Sequence, residues 1–214
     1  MVVRSQTPRR CAGDEGAALV EAAFVTPVLL FLLLGILESG LLFRTYMTLS
    51  ASTQDGARTA AILGNDPGTD YEIISDVKKA MGAIPRDQIL NLVVFKAVAT
   101  PPSASVAPAA CANSVVRTQV TGSAPCNTYV PLTDWDADLF PLVNKPLYNC
   151  TATGYSRGYC PDTRSVAVNP DPPGPDYLGI YISVNHKYIS KLFGSTKTLS
   201  ETTITRLEPQ KLSA

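Results

Sequence analysis

Residues 17–43 form a 27-residue stretch in which 20 side chains are apolar. A membrane-spanning helix needs about 20 such residues at ~1.5 Å rise each. From Val28 to Leu37 there is no polar face of the kind that a core helix of a water-soluble domain shows. A secretory signal carries an apolar region of roughly 7–15 residues before a small-residue cleavage site. This one is longer, so it reads as a retained transmembrane helix with the lipid bilayer as its first partner.

The flanks orient that helix. Arg4, Arg9 and Arg10 precede it, whereas Arg44 is the only early basic residue after it. Lys and Arg favour the cytoplasmic side, which places the N-terminus inside and the body of the chain outside. The cysteines agree. Cys11 stands alone on the inner side, and Cys111, Cys126, Cys150 and Cys160 all lie on the outer side. In an oxidising compartment four cysteines read as two disulfides with three possible connectivities. Short local loops favour Cys111–Cys126 and Cys150–Cys160, and a loop of about 15 residues is worth roughly 3 kcal/mol. Four buried thiols are the alternative. Zinc is disfavoured, because no C-x-x-C pair is present and the one histidine, His186, is far away in sequence. A net formal charge of zero over 214 residues gives no support for nucleic-acid binding.

The helix is expected to continue past the membrane. Residues 44–63 contain no proline, and Leu42, Tyr46, Leu49, Thr53, Gly56 or Ala57, and Ala60 recur at three- and four-residue steps. Asn65-Asp66-Pro67-Gly68 is a stop, so one helix of roughly 45 residues links membrane and head, with Pro27 tolerated inside it. A second helix is expected over 69–81, capped by Thr69 or Asp70, with Ile73, Ile74, Val77 and Met81 on one face. Residues 89–99 read as a buried strand and 115–120 as a short one. The strict alternation of 177–186 marks a half-buried strand, and Thr-rich 196–207 a last one. These give at least three antiparallel strands packed on the helices. Between them, residues 100–176 are rich in proline and cysteine and read as an insertion stapled by disulfides.

Within the apolar run stand two carboxylates, Glu21 and Glu38. Acidic groups in membrane segments are expensive and usually functional. The alternatives are interfacial positions, Glu21 at a helix N-terminus favoured by the dipole and Glu38 solvated at the outer boundary. Gly35 and Gly40 would let another helix approach closely. Farther on, Asp55 and Arg58 can form a weak surface ion pair, and Gly56 would admit a strand or a helix against the backbone. No catalytic, cofactor-binding or metal-binding constellation is found, and the chain is expected not to be an enzyme. His186 reads as a structural residue and Trp135 as an anchor of the insertion, an exposed recognition residue being the alternative for Trp135.

Three blocks of this sequence resemble the TadE-like family of tight-adherence (Flp) pilus systems. The first runs from Gly16-Ala17-Ala18-Leu19-Val20-Glu21 through Pro27 to Leu29. The second is Leu34-Gly35-Ile36-Leu37-Glu38-Ser39-Gly40, and the third is Asp55-Gly56-Ala57-Arg58-Thr59-Ala60-Ala61. The resemblance is strong over 13–63, fair over 177–208 and absent over 100–176. It implies a prepilin peptidase cutting between Gly16 and Ala17, with Glu21 at the fifth mature position. Ala22 departs from the aromatic residue that many pilins carry there. The freed amine of Ala17 would pair with Glu21 of a neighbouring subunit.

The resemblance further implies an α+β fold in which the long transmembrane helix continues into a pilin-like head with a short second helix and a small antiparallel sheet. The parts would be a leader (1–16), a span (17–43), a helix extension (44–64) and the head (65–214). The chain would be a minor pilin, a pseudopilin or an assembly factor. Its partners would be other pilins or pseudopilins met through the helix, the peptidase and the pilus assembly platform, at a bacterial inner membrane. An uncleaved, single-pass anchored binding or sensor ectodomain is the rival reading.

Overall fold

The computed structural model describes residues 14–97, 106–114, 119–121, 125–131, 158–167 and 174–209. Arg4, Arg9, Arg10 and Cys11 lie outside them, as do Val115, Trp135, Cys150 and most of the 100–176 insertion. The chain divides into two compact units, Met1–Leu41 and Leu42–Ala214.

Helix α1 spans Asp14–Leu63 and runs through Pro27 without a break. It begins three residues before the expected Ala17. In the first unit its surface from Leu19 to Leu34 is exposed on every side, with Leu19 at 73 %, Phe24 at 76 % and Leu33 at 59 %. The helix is long and apolar enough to cross a membrane.

In the second unit α1 becomes one-sided. Leu49, Ser52, Thr53, Gly56, Ala57 and Ala60 are buried at three- and four-residue steps. The expected stripe is corrected at its start, because Tyr46 is 45 % exposed and the half-buried Thr45 takes its place. The helix stops at Gly64, whose φ of 56° is open to glycine and whose amide donates to Ala60 O at 3.0 Å.

Helix α2 spans Thr69–Ala80, and its expected face of Ile73, Ile74 and Val77, with Met81 just beyond, is buried. Its cap differs from the expectation. Gly68 is the N-cap and supplies no side chain, so Asp66 takes over by accepting the Gly68 amide at 2.7 Å. Thr69 Oγ1 donates back to Asp66 O at 2.8 Å, and Asp70 is drawn into the interior instead. Asp70 and Glu72 in the first turn and Lys78 and Lys79 in the last complement the helix dipole.

Five antiparallel strands follow: β1 (Ile89–Ala97), β2 (Gln119–Val120), β3 (Cys126–Tyr129), β4 (Tyr177–Lys187) and β5 (Thr196–Arg206). Their order is β2-β3-β1-β4-β5. Strand β2 falls at the end of the short strand expected over 115–120, and β3 is the one not anticipated, so the insertion contributes strands as well as loop. They are too short, at two and four residues, for an alternation to show. A four-residue helix, α3 (Ala109–Ala112), precedes them.

The central β1 is buried on both faces. Leu92 and Val94, with Leu178, Ile180, Ile182 and Val184 of β4, pack with α1 and α2 residues in the main core. On the opposite face Val93, Phe95 and Ala97 pack with Ala107, Cys111 and Cys126 from the insertion. Both faces of β1 therefore exclude water, which explains its continuous apolar run.

Candidate functional site

The residues singled out from sequence fall at three places. Gly16 and Glu21 lie on the exposed first turns of α1, and nothing crowds the space beside Gly16. Gly35 is half-buried, Glu38 is buried at 1 % exposure, and Gly40 is exposed with open space where a Cβ would stand. Glu21 and Glu38 are 17 residues apart, which sets them ~25 Å apart along the axis and about 100° apart around it. They do not form one carboxylate pair.

The third place is the middle of the α1 extension. A Cβ on Gly56 would come within 2.8 Å of Val77 Cγ2, 3.5 Å of Ile73 Cγ2 and 3.7 Å of Ile180 Cγ2. Helix α2 and strand β4 thus both close on this glycine. The ion pair expected between Asp55 and Arg58 is absent among the described residues. Both side chains instead line an open groove of about 460 Å³, together with Thr59, Asp76, Lys79 and Ala80. Across it Thr59 Oγ1 donates to Asp76 Oδ2 at 2.7 Å, and Lys79 Nζ lies 3.1 Å from Asp76 Oδ1.

Two cysteines of the expected pairing, Cys111 and Cys126, are joined by a disulfide that ties α3 to β3 across a sequence separation of 15. Cys160 is disulfide-bonded as well, whereas Cys150 lies outside the described residues.

A buried polar cluster escaped the reading of the sequence. Asp70 at the start of α2 and Arg164 from the insertion are both fully buried and form an ion pair. Asp70 Oδ2 also accepts from Tyr129 OH at 2.7 Å and Asn127 Nδ2 at 3.1 Å. Asn127 in turn exchanges two hydrogen bonds of 2.8 Å with the backbone of Tyr159. The guanidinium of Arg164 sits 4.8 Å from the centre of the Tyr159 ring. Tyr159 OH donates to Asp176 Oδ2 at 3.2 Å, and Lys96 Nζ lies 2.8 Å from Asp176 Oδ1.

Burial pushes the Tyr159 phenol far above its usual range. The nearby carboxylates of Asp176 and Asp70 push the same way, and Arg164 opposes them. These contacts close the insertion onto the head. Asp70 and Arg164 are 94 residues apart with no shared motif, so only Asp70, sitting in a helix first turn, could have drawn notice. No group of three or more His, Cys, Asp or Glu side chains that could hold a metal occurs among the described residues. His186 is buried with Nδ1 3.0 Å from Thr45 Oγ1.

The exposed apolar turns, most of the extension and Gly56 fall in one matched segment. A family model described as TadE-like protein matches residues 16–58. This helix is TadE-like. The match opens at Gly16, takes in Glu21, Gly35, Glu38, Gly40, Asp55 and Gly56, and closes at Arg58. The TadE-like segment thus ends within the helix that the head packs on, and the strands at 177–208 lie beyond it. No curated protein and no solved structure matches the chain.

Proposed function

We propose that this chain is a minor pilin, a pseudopilin or an assembly factor of a tight-adherence (Flp, type IV-like) pilus or secretion filament. A TadE-like helix points to a Tad-pilus-associated protein. One observation carries the finer reading. The matched segment presents an apolar helix surface exposed all round from Leu19 to Leu34, with the carboxylate of Glu21 inside it. Such a surface requires lipid or other apolar helices around it, and an acidic group within it requires a partner on adjacent protein. Glu38 is already buried within the single chain, so Glu21 is the group left to pair with a neighbour.

In this reading the N-terminus is cytoplasmic, the head lies outside, and a prepilin peptidase cuts between Gly16 and Ala17. The new amine of Ala17 then pairs with Glu21 of the next subunit and sets the axial register of the bundle. Gly40 offers a site of close approach. The role is one of assembly, with no reaction catalysed.

Sequencing the N-terminus of protein taken from membranes tests it. Ala17 as first residue is expected, and a start at or near Met1 would favour an uncleaved anchored ectodomain. Replacing Glu21 by Leu is expected to abolish filament formation while leaving membrane insertion intact. Unchanged filaments in the Glu21→Leu, Glu38→Leu double variant would remove the physical basis of the reading.

A further inference from the structure

Strands β4 and β5 pair over their full lengths, from Tyr177 opposite Arg206 to Lys187 opposite Thr196. Residues 188–195 turn between them. Tyr188 N donates to Ser195 O at 3.1 Å and Gly194 N to Lys191 O at 3.3 Å. Lys191 and Gly194 take the left-handed backbone that this tight path demands, with φ of 60° and 106°. The turn leaves Ile189 at 72 %, Phe193 at 54 % and Leu192 at 40 % exposure. Large apolar side chains gathered on one projecting turn mark a contact surface.

The hydrogen bond between His186 and Thr45 places this turn on the head. Thr45 is two residues beyond Phe43, where the apolar run ends. The turn therefore lies near the stretch of α1 that directly follows the apolar run. On that stretch of α1, Phe43, Tyr46 and Met47 are 62 %, 45 % and 57 % exposed. Arg44, Lys191 and Lys197 are exposed beside these apolar groups, and Lys197 lies opposite His186 in the strand register. The nearby acid, Asp87, is held by Lys187.

We propose that the β4–β5 turn is a second membrane contact, in which Ile189, Leu192 and Phe193 enter the interfacial layer of the bilayer that α1 crosses while Lys191, Lys197 and Arg44 meet acidic lipid headgroups. Apolar residues interleaved with basic ones on this turn and on residues 43–47 of α1 suit an interface with hydrocarbon on one side and charged headgroups on the other. The contact would hold the head down on the membrane. The proposal rests on α1 crossing the bilayer and is independent of the pilin role.

Tryptophan fluorescence of the full chain, reconstituted in vesicles containing brominated lipids, tests it. The sole native tryptophan is first removed as Trp135→Phe, and circular dichroism verifies the fold. Phe193→Trp is expected to lose fluorescence as Leu30→Trp in the span does, whereas Val106→Trp on the exposed insertion keeps it. Quenching at position 30 without quenching at 193 overturns the proposal alone. No quenching at position 30 overturns the spanning reading and the proposal with it. A blue-shifted, unquenched Phe193→Trp means burial by protein such as a second copy, and also overturns it.

The double variant Lys191→Gln, Lys197→Gln is expected to weaken quenching at position 193 in phosphatidylglycerol vesicles and leave it unchanged in phosphatidylcholine. An equal effect in both lipids refutes the headgroup contact. If Trp135→Phe impairs folding, a nitroxide on Phe193→Cys in a Cys11→Ser background reads the same depth.

Discussion

Arg164 and Asp70 show how much of this head rests on single side chains. Both are fully buried, and Asp70 is also held by Asn127 and Tyr129. Removing one partner of such a pair leaves an uncompensated charge in a dry interior. Arg164→Leu is therefore expected to destabilise the head by about 3–5 kcal/mol, read from the midpoint of chemical denaturation. A loss below about 1 kcal/mol would mean that Asp70 finds water, as an exposed pair does.

Tyr159 adds a dependence on pH. Its folded-state pKa is raised above its ordinary value of 10.0, chiefly by burial. The neutral phenol's contribution is thus fully present below pH 10. It is lost as pH climbs above that value, because the unfolded chain then releases a proton that the native chain keeps. Thermal melts of Tyr159→Phe should fall less steeply above that pH than those of the wild type. Parallel alkaline limbs would place the loss elsewhere.

Among the elements, β4 shows what alternation can and cannot convey. Leu178, Ile180, Ile182 and Val184 form one buried face, as their spacing predicts. Gly179, on the other face, looks like a gap in a strand. Its missing side chain instead makes room for a ring from β1, since a Cβ there would stand 2.2 Å from Phe95 Cζ. Gly179→Ala is expected to cost about 1–3 kcal/mol through overpacking, and Phe95→Leu to recover part of that loss in the double variant. Additive effects of the two substitutions would refute this account. Helix α2 was legible for a similar reason as the buried face of β4: the positions it buries recur at a regular step. Strand β3 was not, because pairing with β1 and the Cys111–Cys126 bridge, rather than any pattern of its own, holds it, and of the short strand expected over 115–120 only Gln119–Val120 pairs, against β3.

On the scale of the whole molecule, every buried residue of both core clusters lies between Leu49 and Leu207. Residues 42–214 should then fold without the first unit. A chain starting at Leu42 is expected to melt cooperatively, close to the full-length protein in detergent, and to leave membranes in high salt. Loss of the cooperative transition would show that residues 1–41 support the head. The long apolar helix, its continuation past the apolar run, the second helix and the three long strands were set by the sequence alone. Hydrophobic partition and periodic burial are sums over neighbouring residues. The five-strand order, the pairing of Asp70 with Arg164, the seat of Phe95 over Gly179 and the nearness of the β4–β5 turn to Thr45 were decided only by tertiary structure. Each depends on which distant segments meet, and a contact across 94 or 141 residues leaves no mark in local pattern.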